Sequence, residues 1–211
     1  MPLPRLAALA LAASLWGGCA ALPLIGQHLS VNVPAELPLP DAMTLQLAGP
    51  AGKATDLSNK IMGLLGKGSV EENLGAKLKQ TAAPLRRSAA EEFRRQLEAS
   101  HLFGSVKHEG GQLGLALGVG RWGLAVNPLS GALEPVLDLE ASLSAPGLGV
   151  VWKASRSAKD LGASFMQKVS GLGTAQLAAN PARFSEMMNM VSAELSRQLI
   201  DDLRKNPPKA P

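Results

Sequence analysis

Cysteine is nearly absent, with one in 211 residues. A single thiol closes no internal disulfide, and a zinc site would have to rest on three scattered histidines. Tyrosine is missing altogether and aromatics make up 3% of the chain. That removes the base-stacking platforms of single-strand nucleic-acid binders and the aromatic girdles of a transmembrane β-barrel. Charge is also sparse, at 18%, and the net of +4 is too small for the dense basic stripe of a nucleic-acid-binding protein. What remains is 46% hydrophobic, enough chain for one buried core with extensions.

The N-terminus has a recognisable layout. Arg5 is followed by an apolar run from Leu6 to Leu15, then Gly17 and Gly18, then Cys19. A run of about ten residues makes roughly 15 Å of helix, half of what a bilayer core requires, so the segment reads as a secretory signal peptide. Two processing sites fit the residues: cleavage just before Cys19, or cleavage after a small residue such as Ala21 that discards the cysteine. From Ala20 to Asp41, Pro23, Pro34, Pro38 and Pro40 occur without a helical period. This stretch is either an extended tether or an irregular edge strand in which Leu22, Leu24, Ile25, Leu29, Val31 and Val33 lie along the domain. The expected organisation is a signal peptide over 1–18, a tether over 19–42, one domain over 43–204 and a disordered tail over 205–211.

Within the domain the period changes in order. Met43 to Ala48 alternates as a half-buried strand, and Leu57, Ile61, Leu64 and Leu65 fit a short helix. A stronger helix runs from about Pro84 to His101, with Leu85, Ala89, Phe93 and Leu97 at four-residue steps. From Leu113 the period is two: Leu113, Leu115, Leu117 and Val119 share one face. The phase slips at Gly120-Arg121, as at a bulge, and resumes at Trp122, Leu124 and Val126. After a turn at Asn127–Gly131, Leu137, Leu139, Ala141 and Leu143 alternate with Asp138, Glu140 and Ser142. A turn at Ala145-Pro146-Gly147 leads into Leu148 to Ala154. Helices are expected over Ala158 to Ser170 and after Asn180-Pro181, the latter with Phe184, Met187, Met188, Val191, Leu195 and Leu199 as its apolar stripe. The fold class is therefore α+β: an antiparallel meander of about four to five strands packed against three to four helices.

Several stretches imitate catalytic motifs. Gly118-Val119-Gly120-Arg121-Trp122-Gly123 has dinucleotide-type glycine spacing, but strand continues where that motif needs a helix N-terminus. His108-Glu109-Gly110-Gly111-Gln112 lacks the second histidine of a zinc protease and reads as a hairpin turn. Gly63 to Lys67 resembles part of a P-loop but is followed by Gly68. Asp138 and Glu140 share a strand face and have the composition of an acid and base pair, although such alternation also describes the wet side of any sheet. No catalytic residue, metal site or dissociable cofactor is expected. Contact residues are sought instead in the most basic stretch, Lys77, Lys79, Arg86, Arg87, Arg94 and Arg95. It is either a patch for anionic lipid or an acidic partner, or an ordinary helix face with opposite charges three and four apart. Met190 lies off the apolar stripe and is the surface candidate among the methionines.

The run Leu15-Trp16-Gly17-Gly18-Cys19 resembles the lipobox of bacterial lipoproteins. The resemblance implies that Cys19 becomes the first mature residue and carries acyl chains. With Ala20 rather than aspartate after it, the resemblance implies export to the outer membrane, facing the periplasm. Residues 84 to 155, with Leu102-Phe103-Gly104-Ser105-Val106 leading into a meander that ends on Val150-Val151-Trp152, resemble the small periplasmic α+β modules typified by the N-terminal domain of TolB. Those modules bind proteins, which implies a non-enzymatic adaptor or accessory subunit with an envelope protein as partner. The alternatives are a carrier of lipid or another apolar ligand, lined by residues 113 to 126, and, with least support, an envelope hydrolase.

Overall fold

A computed structural model describes residues 24–46, 75–76, 78–126, 133–169, 180 and 182–208. Cys19, Lys77, the expected helix over 57–66, the P-loop-like glycines and the turn at 127–131 lie outside the described residues. Within them the order is β1 (Gly26–Asn32), β2 (Thr44–Gln46), α1 (Ala82–Ala99), β3 (Phe103–Lys107), β4 (Leu113–Val126), β5 (Leu133–Ala145), β6 (Gly149–Ser157), α2 (Ala163–Val169) and α3 (Ala182–Lys205).

The fold is α+β, but its sheet is mixed. Strands β4, β5 and β6 form the expected antiparallel meander, whereas β1 pairs parallel to both β3 and β4, and β2 parallel to β4, in the order β3-β1-β4-β5-β6. Burial follows the period-two reading: Leu113, Leu115, Leu117 and Val119 on β4 and Leu137, Leu139, Ala141 and Leu143 on β5 are all buried. The phase slip is real, since pairing with β5 shifts between Val119 and Arg121. The extra residue returns Trp122 and Leu124 to the inner face, where both are buried. The inner face is covered by α1, which buries Leu85, Ala89, Ala90, Phe93 and Leu97, and by α3, which buries Met187, Met188, Val191, Leu195 and Leu199. The outer face carries Ala116, Gly120, Glu140 and Lys153, all exposed.

The structure departs from four expectations. Residues from 24 to 42 are not a free tether, nor is β1 an edge strand. Gly26–Asn32 lies between β3 and β4, with Val31, Val33, Leu37 and Leu39 buried, because aliphatic side chains at these positions gain more from the core than proline spacing gains from extension. The tail is not loose up to Pro208: that residue is buried and its carbonyl accepts the Leu24 amide at 2.9 Å. The stretch His108–Gln112 is no hairpin, since it steps over the end of β1 between two strands that run parallel to it. Asn32 Oδ1 receives the Gly111 amide at 2.6 Å, and the Ser30 carbonyl receives that of Gln112 at 3.0 Å. Finally, the helix expected over 158–170 divides. Ser157 caps a short 3-10 turn over Ala158–Asp160, Leu161 is extended, and of the described residues in this stretch only Ala163–Val169 is α-helical, Ser170 lying outside them.

On the buried side of α3, Ser192 and Ser196 are each 1% exposed, and neither hydroxyl has a hydrogen-bond partner among the described residues. An unmatched buried hydroxyl costs about 1–3 kcal/mol, partly offset by the packing of its own atoms. Ser192→Ala and Ser196→Ala are each expected to raise the urea midpoint, by roughly 1 kcal/mol of stability, without altering the slope of the transition.

Candidate functional site

The arginines of the basic stretch that the sequence singles out, Arg86, Arg87, Arg94 and Arg95, lie on α1. Its register follows from the core: with Leu85, Ala89, Phe93 and Leu97 turned to the sheet, the arginines between them are carried toward solvent. Most of this charge is matched. Arg94 Nη1 meets Glu98 at 2.8 Å, and Arg95 makes a forked contact with Glu92 at 2.6 and 2.7 Å. Arg87 reaches Glu36 at 3.4 Å, and Arg86 donates from Nη2 to the Leu39 carbonyl at 3.2 Å. The ordinary-face reading, with partners three and four apart, therefore accounts for Arg94 and Arg95. Arg86 and Arg87 instead hold the segment 33–40, with Val33, Leu37 and Leu39 buried, against the helix, through partners too distant in sequence to be foreseen. Lys79 is exposed.

Burial pushes the Glu92 carboxyl up, but hydrogen bonds from Arg95 and Gln96 outweigh it, so the group rests below its ordinary value. On α3 the Arg197 hydrogen bond lowers Glu194 in the same way, against the effect of burial. Both are surface pairs whose small contribution is screened by salt.

Among the described residues, two open clefts flank α1. One, of about 540 Å³, is bordered by Glu36, Pro84, Arg86, Arg87, Ser88 and Glu91. The other, of about 310 Å³, lies between the C-terminal turns of α1 and α3 and is bordered by Gln96, Ser100, Arg197, Ile200, Asp201 and Arg204. Neither is lined by β4, whose leucines are packed into the core. Met190 is 45% exposed on α3, while Met187 and Met188 are in the core, as their spacing predicts. Its neighbour Asn189 receives the Ser88 hydroxyl at 2.7 Å, which ties this part of α3 to the start of α1. The first cleft and this part of α3 thus meet at Ser88, near the start of α1.

The acid and base pair considered for β5 does not come together as one. Asp138 accepts from Arg121 at 2.6 Å and from the Ser157 hydroxyl at 2.6 Å, while Glu140 pairs with Lys153 at 3.2 Å. Each carboxylate is thus paired with its own cation. The dinucleotide-like glycines are in strand β4, and no group of metal-ligating side chains occurs among the described residues.

No protein-family model and no curated protein matches the chain. Among solved structures, it is similar to a protein of the DUF330 family from Xanthomonas campestris, with 14% identity, a TM-score of 0.41 and coverage of 87% of each chain. It is also similar to a PelC variant dodecamer from Paraburkholderia phytofirmans, with 15% identity, a TM-score of 0.35 and coverage of 75% of this chain and 90% of that one.

One feature of the site had no sequence signal. Asp202 on α3 accepts from Trp152 Nε1 at 3.3 Å and from Arg156 Nη2 at 2.7 Å, fastening the edge strand β6 to the helical layer. Arg156 and Trp152 lie 46 and 50 positions before Asp202, and no local spacing joins them to it.

Proposed function

We propose that the chain is a lipid-anchored lipoprotein of the bacterial outer membrane that faces the periplasm and acts without catalysis, as an adaptor or accessory subunit of an envelope complex. The observation that carries this reading is the place of the only cysteine. Cys19 ends a signal-type leader and stands five positions before Leu24, where the described domain begins. More than one acyl chain on Cys19 would make the attachment lasting, since each buried methylene contributes about 0.8 kcal/mol.

The contact surface in this reading is the end of the helical layer with Lys79, Arg86, Arg87 and Met190, continued by Lys77 in sequence and by Arg94 and Arg95 along α1. The exposed cations Lys79 and Arg87 and the exposed thioether of Met190 suit a protein partner with an acidic rim. Separate cations on Asp138 and Glu140 support a non-catalytic role.

Anchoring is tested by fractionating cells that express Cys19→Ser. The protein is expected to leave the membrane fraction for the soluble one, and unchanged membrane association would sink the reading. The adaptor role is tested by crosslinking in cells and pull-down, for which a stoichiometric protein partner is the expected result. Co-purified lipid without a partner would favour a carrier instead.

A further inference from the structure

Three large apolar side chains are exposed among the described residues, and two of them, Leu148 and Val150, belong to one turn and the first residues of the strand after it. The turn joins β5 to β6. The Ala145 carbonyl receives the Leu148 amide at 3.1 Å, Pro146 occupies the second position, and Gly147 takes a φ of 77° at the third, the pattern of a type II turn. Gly149 follows at 72°, so Leu148 is held out between two residues in conformations that side chains rarely adopt. Leu148 is 44% exposed and Val150 63%. From Ser144 to Val151 the sequence is SAPGLGVV, without a single charge. Ordinary solvent-facing turns are polar, and this one is not.

Strand register shows where the turn points. Val31 of β1 is level with Leu113 at the start of β4, Gly114 is level with Ser144, and Ala145 with Gly149. The β5–β6 turn therefore lies at the end of the sheet from which β1 enters, two to three strand spacings away, or roughly 10–14 Å. Leu24 is at this end too, fastened to the Pro208 carbonyl. Allowing for the irregular pairing of β1 between Gly26 and Ser30, the turn is set back from Leu24 by roughly 10–15 Å along the strands. The five residues from Cys19 to Leu24 span at most about 17 Å. A bilayer that holds Cys19 is thus within reach of Leu148 and Val150 with no change in the domain.

We propose that the β5–β6 turn, Pro146–Val150, is a second point of membrane contact that inserts its aliphatic tip into the bilayer surface to which Cys19 is tethered. The inference rests on the anchoring of Cys19. Inserting two partly exposed aliphatic side chains shifts partitioning by roughly tenfold to a hundredfold. That is too weak to recruit a free protein, yet enough to orient one already confined to the surface. The tip then fixes which face of the domain looks into the periplasm, leaving α1 and the cleft beside Glu36 turned toward a partner.

The test uses the full chain with Val150→Cys, taken through its own processing and reconstituted in vesicles of phosphatidylethanolamine and phosphatidylglycerol. It is then labelled with a thiol-reactive, polarity-sensitive dye. With Cys19 acylated, one dye enters per chain. Emission from position 150 is expected to shift to the blue, rise several-fold on the vesicles and be quenched by spin-labelled lipid. The same dye at Arg95→Cys, exposed on α1, is expected to do none of these. A singly labelled chain that floats with the vesicles but shows no shift at position 150 overturns the second contact and spares the anchor. Two dyes per chain overturn the anchor, and the proposal with it. A shift that grows with protein density and ignores the spin-labelled lipid assigns the turn to a second copy of this chain and overturns the membrane contact.

Discussion

Replacing Trp122 with alanine is expected to lower stability by about 4 kcal/mol, the upper part of the range for deleting a large buried aromatic. Trp122 is 1% exposed, and its ring meets that of Phe184 with centroids 6.3 Å apart and planes tilted by 37°. Its indole also donates to the Pro40 carbonyl at 2.8 Å, so one side chain joins β4, α3 and the segment that leads from β1 to β2. Three losses coincide on truncation: apolar burial, the ring contact and the satisfaction of a partly buried carbonyl. Trp122→Phe separates them, since it retains most of the burial and strands the carbonyl, with an expected loss of about 1–3 kcal/mol. Urea unfolding of both variants measures the difference. Equal losses in the two would show that the hydrogen bond to Pro40, rather than the ring, holds this region together.

Trp122 also shows what a sequence can disclose and what it conceals. Its place on the inner face is readable, because a period-two pattern that breaks at Gly120-Arg121 and resumes one residue later has to contain a bulge. Its partner is not readable, since Pro40 is 82 positions away in a segment whose prolines suggest a tether. The same division runs through the fold. The meander and the two long helices have local periods that place each of them. The parallel pairing of β1 has none: seven residues, GQHLSVN, find partners near Phe103 and Leu113, and only tertiary burial selects that register. A sheet read from hairpin signals alone is therefore read as antiparallel, and the strands that make it mixed are lost.

The candidate site divides likewise. Spacing along α1 foretells that its outward arginines meet carboxylates three and four residues away, as Arg94 and Arg95 do. It does not foretell that Arg86 and Arg87 reach back to Leu39 and Glu36, because those partners belong to the stretch the prolines disguise. Met190 was separable from Met187 and Met188 because the helical stripe is strict at those positions. The β5–β6 turn was visible as Ala145-Pro146-Gly147, but its exposed apolar tip gains meaning only from the register that aligns it with the entry of β1.

Asp202→Ala is expected to lower stability by about 2–3 kcal/mol, because of the donors it leaves behind. The Asp202 and Arg156 side chains are 22% and 30% exposed, so their attraction is partly screened and modest in itself. Removing the carboxylate, however, deprives both the Arg156 guanidinium and the Trp152 indole of an acceptor in a half-buried place, and stranded donors cost more than a completed pair contributes. Asp202→Asn keeps an acceptor for Trp152 and loses only the charge, so about half the loss is expected. Removing both sides of the ion pair, Asp202→Leu with Arg156→Met, is expected to recover part of the stability lost by Asp202→Leu alone, because no charge is then left unpaired. A double-mutant cycle from urea midpoints yields the coupling. Strict additivity would mean that β6 is held by the packing of Trp152 alone and that the ion pair is incidental. Positive coupling would make Asp202 the clasp that keeps the edge strand, and with it the β5–β6 turn, fixed to the helical layer.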